Sequence, residues 1–173
     1  IEDIFTSIES SSSNTKFIIK ASYLQLYNEN INDLLKPEKQ NLIIREDKKK
    51  GIYVENLSEW IVRNPNDIYA LLEQGTSFRE TSSTLMNSVS SRSHAIFIIN
   101  VEQMISSEEN VTITKVGKLN LVDLAGSERI RITGAKGKQL EESKRINKSL
   151  SALGNVINAL TDSKGSHYIP YRD

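Results

Sequence analysis

The chain has 173 residues, 38% of them hydrophobic, and its 22 basic and 22 acidic residues cancel, which suits one globular domain with a real core. It contains no cysteine, so a disulfide framework and a cysteine-based metal site are both excluded. Its apolar runs are too short to cross a bilayer and no signal peptide begins it, so we expect a soluble intracellular protein without a membrane span.

The first half of the chain mixes helical and extended patterns. Asn64 before Pro65 marks a helix start, and Pro37 ends a short apolar segment. Three lysines, Lys48 to Lys50, occupy a turn between two short extended segments. The predicted elements of this half, in chain order, are a helix end at 4–8, a strand at 17–27, a short helix at 31–35, a hairpin of 42–45 with 52–57, and a helix from 64 towards 79.

Two long strands and one long helix are predicted in the second half. Residues 94–104 and 111–123 alternate between apolar and polar around a turn, so we expect an antiparallel pair. A polar loop at 81–89 precedes the first of these strands, and a basic loop at 129–139 follows the second. Apolar residues on a single stripe predict a helix over 140–160, with that stripe facing the core. The two loops therefore leave the strand pair at one end.

Asp123 comes directly after an apolar strand and begins the string Asp-Leu-Ala-Gly-Ser-Glu, residues 123–128. The carboxyl end of a strand is where α/β sheets place their ligands, although an isolated aspartate there is also a common turn or helix cap. Such a carboxylate can hold Mg²⁺ through water, and a following glycine lets a backbone N–H approach a phosphate. The loop before the other strand reads Asn-Ser-Val-Ser-Ser-Arg-Ser-His, residues 87–94, and its serines can reach the same metal.

These two strings, in this order and spacing, resemble the two switch segments of kinesin motor domains. The resemblance implies an α/β fold, a mixed central β-sheet flanked by helices on both faces as in P-loop NTPases, here truncated. It implies one partial motor domain over 1–173, with switch I at about 80–94, switch II at 123–139 and a microtubule-binding helix at about 140–160.

The resemblance assigns metal and phosphate contacts to three residues. Ser91 would ligate Mg²⁺ directly, and Asp123 would hold the Mg²⁺ shell through water. Gly126 would give its N–H to the γ-phosphate of ATP and so report whether that phosphate is present.

Further residues would act on the reaction or line the nucleotide site. Ser90 would help to hold the attacking water, and Arg92 would pair with Glu128 when both switches close. An exposed ion pair stabilises a structure by only about 0 to 1 kcal/mol, and its electrostatic interaction strengthens when closure excludes water. Asn87 fits the same motif as a nucleotide-site residue, whereas His94 is expected to be a structural strand-start residue. Arg79 is expected to pair near the two switches.

The helix string Ile-Asn-Lys-Ser-Leu-Ser-Ala-Leu-Gly-Asn-Val-Ile, residues 146–157, resembles the kinesin helix that lies against the microtubule. An ordinary solvated face is the alternative interpretation. Residues 127–173 carry nine basic and five acidic residues, and tubulin is acidic, so charge favours the contact. Asn147 would lie where the switch loop meets the helix, the point at which the nucleotide state would alter microtubule affinity. The implied microtubule contacts are Arg129, Lys136, Lys144, Asn147, Lys148, Asn155, Tyr168 and Arg172.

The glycine-rich loop that ends in Gly-Lys-Ser/Thr and cradles phosphates does not occur in these 173 residues. The chain therefore reads as a piece of a motor domain, and we do not expect it to turn over ATP alone. For the intact protein the resemblance implies microtubule-stimulated ATP hydrolysis coupled to movement, with ATP and Mg²⁺ as ligands. It also implies a homodimer formed through a stalk, and a location on the cytoplasmic cytoskeleton, at the spindle or cilium among other places.

Other functions are compatible with parts of the sequence. A truncated or degenerate kinesin-like module could dock on microtubules without hydrolysis. A myosin-like or other P-loop NTPase shares the Asp-x-x-Gly switch but not the Ser-Ser-Arg-Ser-His string. A nucleic-acid binder would explain the basic third of the chain and neither switch, so no nucleic-acid partner is expected.

Overall fold

The structure is a computed structural model that describes residues 1–48, 51–81, 90–106, 112–126 and 138–161, together with 169 and 171. No helix within these ranges combines the length and the apolar character needed to span a bilayer. In chain order, the elements are α1 (Glu2–Glu9), β1 (Thr15–Tyr27), β2 (Asn30–Asp33), β3 (Ile44–Asp47), β4 (Gly51–Val54), β5 (Trp60–Val62), α2 (Pro65–Thr81), a 3₁₀ turn (Ser90–Arg92), β6 (His94–Ser106), β7 (Thr112–Asp123) and α3 (Lys138–Thr161).

The central sheet is built on the long antiparallel strands β1, β6 and β7. Its order is β2-β1-β6-β7, and β5 pairs with the first half of β1. The register pairs Leu26 with His94 and Ala95 with Asp123. The end of β1, the start of β6 and the end of β7 therefore lie at one end of the sheet, as the strand pattern predicted.

Helices α1 and α2 cover one face of the sheet. Alternate residues of β1 and β6 point to this face and pack against Phe5 of α1 and Ile68 of α2. The rings of Tyr23 and Phe97 meet edge to face, with centroids 5.3 Å apart. Helix α2 approaches Tyr23 so closely that a Cβ at Gly75 would lie 2.3 Å from the Tyr23 ring. The glycine is therefore what allows this helix to pack at that distance.

The opposite face carries a smaller apolar cluster. Leu24, Ile98 and Ile31 are buried there, and Leu42 and Val54 from the hairpin region pack against them. The predicted hairpin is confirmed as β3 and β4, which form their own two-stranded sheet. Lys49 and Lys50 of its turn lie outside the described residues.

The predicted short helix at 31–35 is wrong, because residues 30–33 form strand β2. Asn28 and Glu29 both have positive φ, 52° and 69°, and Tyr27 pairs with Asn30 across them. A two-residue turn with both central residues in that region matches the twist of a hairpin and returns the chain along β1.

The carboxylate of Asp33 ends β2. It is fully buried and accepts backbone N–H groups from Leu35, Lys36 and Ser58 at 2.8–3.0 Å. These bonds satisfy backbone N–H groups of the turn after β2, where Pro37 had suggested the end of a helix. The three-residue strand β5 and the 3₁₀ turn were not predicted from the sequence, whereas the remaining helices and strands were predicted to within a few residues of their bounds.

Candidate functional site

The segments before β6 and after β7 meet at one end of the sheet. The backbone N–H of Gly126 donates a hydrogen bond to the carbonyl of Ser91, at 2.9 Å. Because Ala95 pairs with Asp123, both segments leave the sheet from adjacent positions. The structure thus brings together Ser91, Asp123 and Gly126, three of the residues that the two sequence strings were expected to place near a phosphate.

Arg79 of α2 ties these segments to the helix behind the sheet. Its guanidinium is buried, and it donates to Asp123 Oδ2 at 2.5 Å and to the Ser93 carbonyl at 2.8 Å. Its Nε donates to Ser93 Oγ at 3.2 Å, and Gln25 Nε2 donates to the same hydroxyl at 2.8 Å. The expectation that Arg79 pairs near the two strings is confirmed. A permanently charged group there fixes α2, the start of β6 and the end of β7 to one another.

His94 joins the segment after β7 to helix α3. Its Nδ1 accepts the backbone N–H of Ala125 at 3.0 Å, and its Nε2 lies 2.9 Å from Ser149 Oγ. The Ser149 hydroxyl donates to the carbonyl of Ile146 at 2.7 Å, so it accepts from His94. These contacts fit a neutral imidazole with its proton on Nε2. His94 was expected only to begin a strand, and its link to α3 was not anticipated.

The environment of His94 predicts a pH dependence of stability. Burial lowers the pKa of His94, the positive charge of Arg79 lowers it further, and Asp123 opposes both. Between that lowered pKa and the ordinary value of about 6.5, the unfolded chain binds more protons than the folded chain, so stability falls as the pH drops through this window. Above about pH 6.5 the contribution of His94 is fully present.

We expect hydrogen exchange in β6 to accelerate between pH 7 and pH 5.5, after correction for the intrinsic rate, and His94→Gln to reduce this slope. His167→Gln is the matched control, because it removes the other histidine of the chain. An unchanged slope in His94→Gln, or an equal change in both variants, would contradict the assignment.

Helix α3 contacts the sheet through its first half. One turn before Ser149, Arg145 Nη1 donates to Asn28 Oδ1 at 2.5 Å. Ile146 and Leu150 are half-buried, as expected for an apolar stripe that faces the core. The second half of the stripe differs from the expectation, because its apolar side chains are exposed rather than packed on the core. Their exposed fractions are 39%, 49% and 58% at Leu153, Ile157 and Leu160.

Residues 1–173 match the sequence model of the kinesin motor domain from end to end. The chain belongs to the kinesin motor domain family. It is 52% identical over 173 residues to kinesin-related protein 3 of Dictyostelium discoideum, and covers 14% of that protein. It is 50% identical over 175 aligned residues to the kinesin heavy chain of Neurospora crassa, and covers 18% of it.

Solved kinesin structures share the fold. A fast kinesin aligns over 99% of this chain and 47% of its own, with 50% identity and a TM-score of 0.83. A KIF14 dimer bound with AMP-PNP to a microtubule aligns over 99% and 50%, with 38% identity and a TM-score of 0.82. The predicted kinesin α/β fold is thereby confirmed. The chain spans less than a fifth of these curated relatives and about half of the solved chains.

The residues at the sheet end fit a partly hydrated Mg²⁺. Mg²⁺ prefers oxygen ligands and keeps several waters, so one carboxylate and one hydroxyl beside a phosphate form a suitable donor set. Asp123 offers a carboxylate, and its side chain is 68% exposed. Gly126, three residues after Asp123, contacts Ser91 in the segment before β6. Within the described ranges, no three acidic or histidine side chains gather into a metal cage.

The proposed site residues of this kinesin chain divide into those described and those outside the described residues. Lys144, Lys148 and Asn155 are exposed on α3, and Asn147 is half-buried. Ser90 is described by its backbone within the 3₁₀ turn. The predicted partner of Arg92 is Glu128, which lies outside the described residues. Outside the described residues lie Asn87, Glu128, Arg129, Lys136, Tyr168 and Arg172.

Proposed function

We propose that the protein containing this chain is a microtubule motor that couples ATP hydrolysis to microtubule binding and movement along the cytoplasmic cytoskeleton. The observation that carries the proposal is the hydrogen bond from Gly126 to Ser91, which puts the two phosphate-sensing segments of the kinesin family against each other. The likeness to a KIF14 dimer on a microtubule supports both the partner and a dimeric parent protein.

Three residues would handle the phosphate and its metal. Asp123 would hold the water shell of Mg²⁺ and Ser91 would ligate it, and a bound Mg²⁺ would supply positive charge for the phosphates. The Gly126 N–H is already used by the Ser91 carbonyl, so it must leave that carbonyl to reach a γ-phosphate. Because the N–H would exchange the Ser91 carbonyl for the γ-phosphate, the position of the Gly126 backbone would depend on whether that phosphate is present.

The chemical step would be in-line attack of water on the γ-phosphorus. Ser90 and Asn87 help to position the water and the nucleotide, and Arg92 pairs with Glu128 to close the site. Closure excludes water, which strengthens the electrostatic contacts around the developing charge. These roles rest on the kinesin motif that the residues match.

Exposed basic and amide groups of α3 would bind the acidic microtubule surface. Lys144 is linked to Glu141 at 2.8 Å, one turn earlier, and Lys148 and Asn155 continue the same side of the helix. Asn147 is half-buried beside this side. The kinesin motif implies that it lies where the switch segment meets the helix. The other residues assigned to this surface are Arg129, Lys136, Tyr168 and Arg172.

Microtubule cosedimentation of the full-length protein tests this surface. We expect Lys148→Ala to raise the microtubule Kd by about threefold, and to weaken its salt dependence, because one exposed charge of an acidic–basic contact is removed. Lys16→Ala removes another exposed lysine, at the start of β1, and should leave Kd unchanged. Equal effects of the two variants would mean that general charge, and not α3, determines binding.

A further inference from the structure

We propose that His94 is a positioning residue that transmits the position of the segment after β7 to helix α3 through Ser149. The inference rests on the proposed motor function, because it gives that function a physical link between the phosphate site and the microtubule-binding helix. It concerns residues for which the switch and helix motifs assigned no role in coupling.

The directions of the hydrogen bonds make this link a single relay. The Ala125 N–H donates to Nδ1 of His94, so the ring proton is on Nε2 and is donated to Ser149 Oγ. The Ser149 hydroxyl in turn donates a hydrogen bond to the Ile146 carbonyl inside α3. A backbone N–H can only donate, so Nδ1 of His94 must accept and the ring hydrogen must be on Nε2. Because the single hydrogen of the Ser149 hydroxyl is donated to Ile146, Ser149 Oγ can only accept from Nε2. The directions of all three hydrogen bonds are therefore fixed.

The relay begins next to the proposed phosphate reporter. Two consecutive backbone N–H groups, those of Ala125 and Gly126, are held by the ring of His94 and the carbonyl of Ser91. When Gly126 exchanges Ser91 for a phosphate, the adjoining peptide of Ala125 must move with it. Because His94 is only 9% exposed, its ring has little room to turn without moving Ser149.

A second contact of α3 lies one turn before Ser149. Arg145 donates to Asn28 in the turn between β1 and β2, which belongs to the sheet and not to the segment after β7. His94, in contrast, contacts that segment through the N–H of Ala125. These two hydrogen bonds tie α3 to the sheet one turn apart, and the relay couples one of them to the phosphate site.

A double-mutant cycle on the full-length protein separates a relay from two ordinary contacts. Ser149→Ala removes the helix partner, and His94→Asn keeps an acceptor near the Nδ1 position but is too short to reach Ser149. Ser151→Ala is the control, because it removes an exposed hydroxyl from the same helix. The measured quantity is the ratio of the microtubule Kd with ADP to that with AMP-PNP.

We expect each single variant to reduce this ratio about fivefold, the effect of one hydrogen bond in the coupling, and the double variant to reduce it no further. Ser151→Ala should leave it unchanged. In the nucleotide-free protein, hydrogen exchange at Ala125 should also accelerate about fivefold in Ser149→Ala, because the ring loses its orienting partner.

Three outcomes would overturn the relay. Ser149→Ala that behaves as Ser151→Ala would show that the bond carries no coupling, and effects that multiply in the double variant would show two separate contacts. A wild-type protein whose microtubule affinity ignores the nucleotide would contradict the proposed function itself, and the relay with it. The first two outcomes leave the proposed function standing.

Discussion

Replacing Arg79 by methionine is expected to lower the free energy of unfolding of the central sheet by about 3 kcal/mol, because it removes the hydrogen bonds that this charged group makes to Ser93 and Asp123. The buried Ser93 carbonyl would lose its guanidinium partner, whereas Asp123 is exposed enough to be rehydrated. Methionine fills much of the space of the arginine stem, so the loss reports the polar network rather than a cavity.

The measurement is hydrogen exchange of β6 and β7 peptides in the full-length protein, where about 3 kcal/mol corresponds to a loss of protection of roughly 100-fold. Arg45→Met is the control, since Arg45 pairs with Glu55 at 3.2 Å with both side chains exposed. An exposed pair contributes only about 0 to 1 kcal/mol. Similar losses in the two variants would contradict the assigned role of Arg79.

Substituting Gly75 by alanine is expected to destabilise the fold by about 2 kcal/mol through overpacking, although alanine is the better helix former by about 1 kcal/mol. The added Cβ would lie 2.3 Å and 2.7 Å from two carbons of the Tyr23 ring and 3.3 Å from Leu34 Cβ. Tyr23 is buried against Phe97, so it cannot move aside without disturbing the main core.

Gly154 in α3 provides the matched control, because an added Cβ there meets nothing within 4 Å. Gly154→Ala should therefore stabilise its helix by about 0.5 to 1 kcal/mol. Hydrogen exchange of α2 and α3 peptides measures both effects in the same protein. Stabilisation by Gly75→Ala of the same size would mean that α2 does not pack on Tyr23 as the structure shows.

Local alternation was enough to predict the long strands and the end of the sheet at which the candidate site lies. It failed at β2, where Asn28 and Glu29 both adopt a positive φ that is uncommon for residues other than glycine. The pairing of β2 with β1, which Tyr27 and Asn30 close, stabilises that turn, and nothing within residues 31–35 themselves signals it. A polar turn followed by apolar residues therefore read as the start of a helix.

The site was predicted through strings of neighbouring residues, so contacts between distant residues were the part that sequence could not supply. Arg79, Ser93 and Asp123 come from three elements, and only the folded sheet brings them together. The bond between His94 and Ser149 joins residues 55 positions apart. Periodicity likewise showed which residues of α3 share a stripe, but not how far along the helix the sheet covers them.

The most direct test of the account is ATP turnover by the full-length protein, with and without microtubules, beside its Glu128→Ala variant. The account predicts turnover that microtubules stimulate in the wild type and that falls by at least about 100-fold in Glu128→Ala, because closure of the two segments organises the reacting water. Glu55→Ala, which removes an exposed carboxylate from the Arg45 pair, should retain the stimulated rate. A wild type that binds microtubules without turning over ATP would contradict the account and leave a docking module.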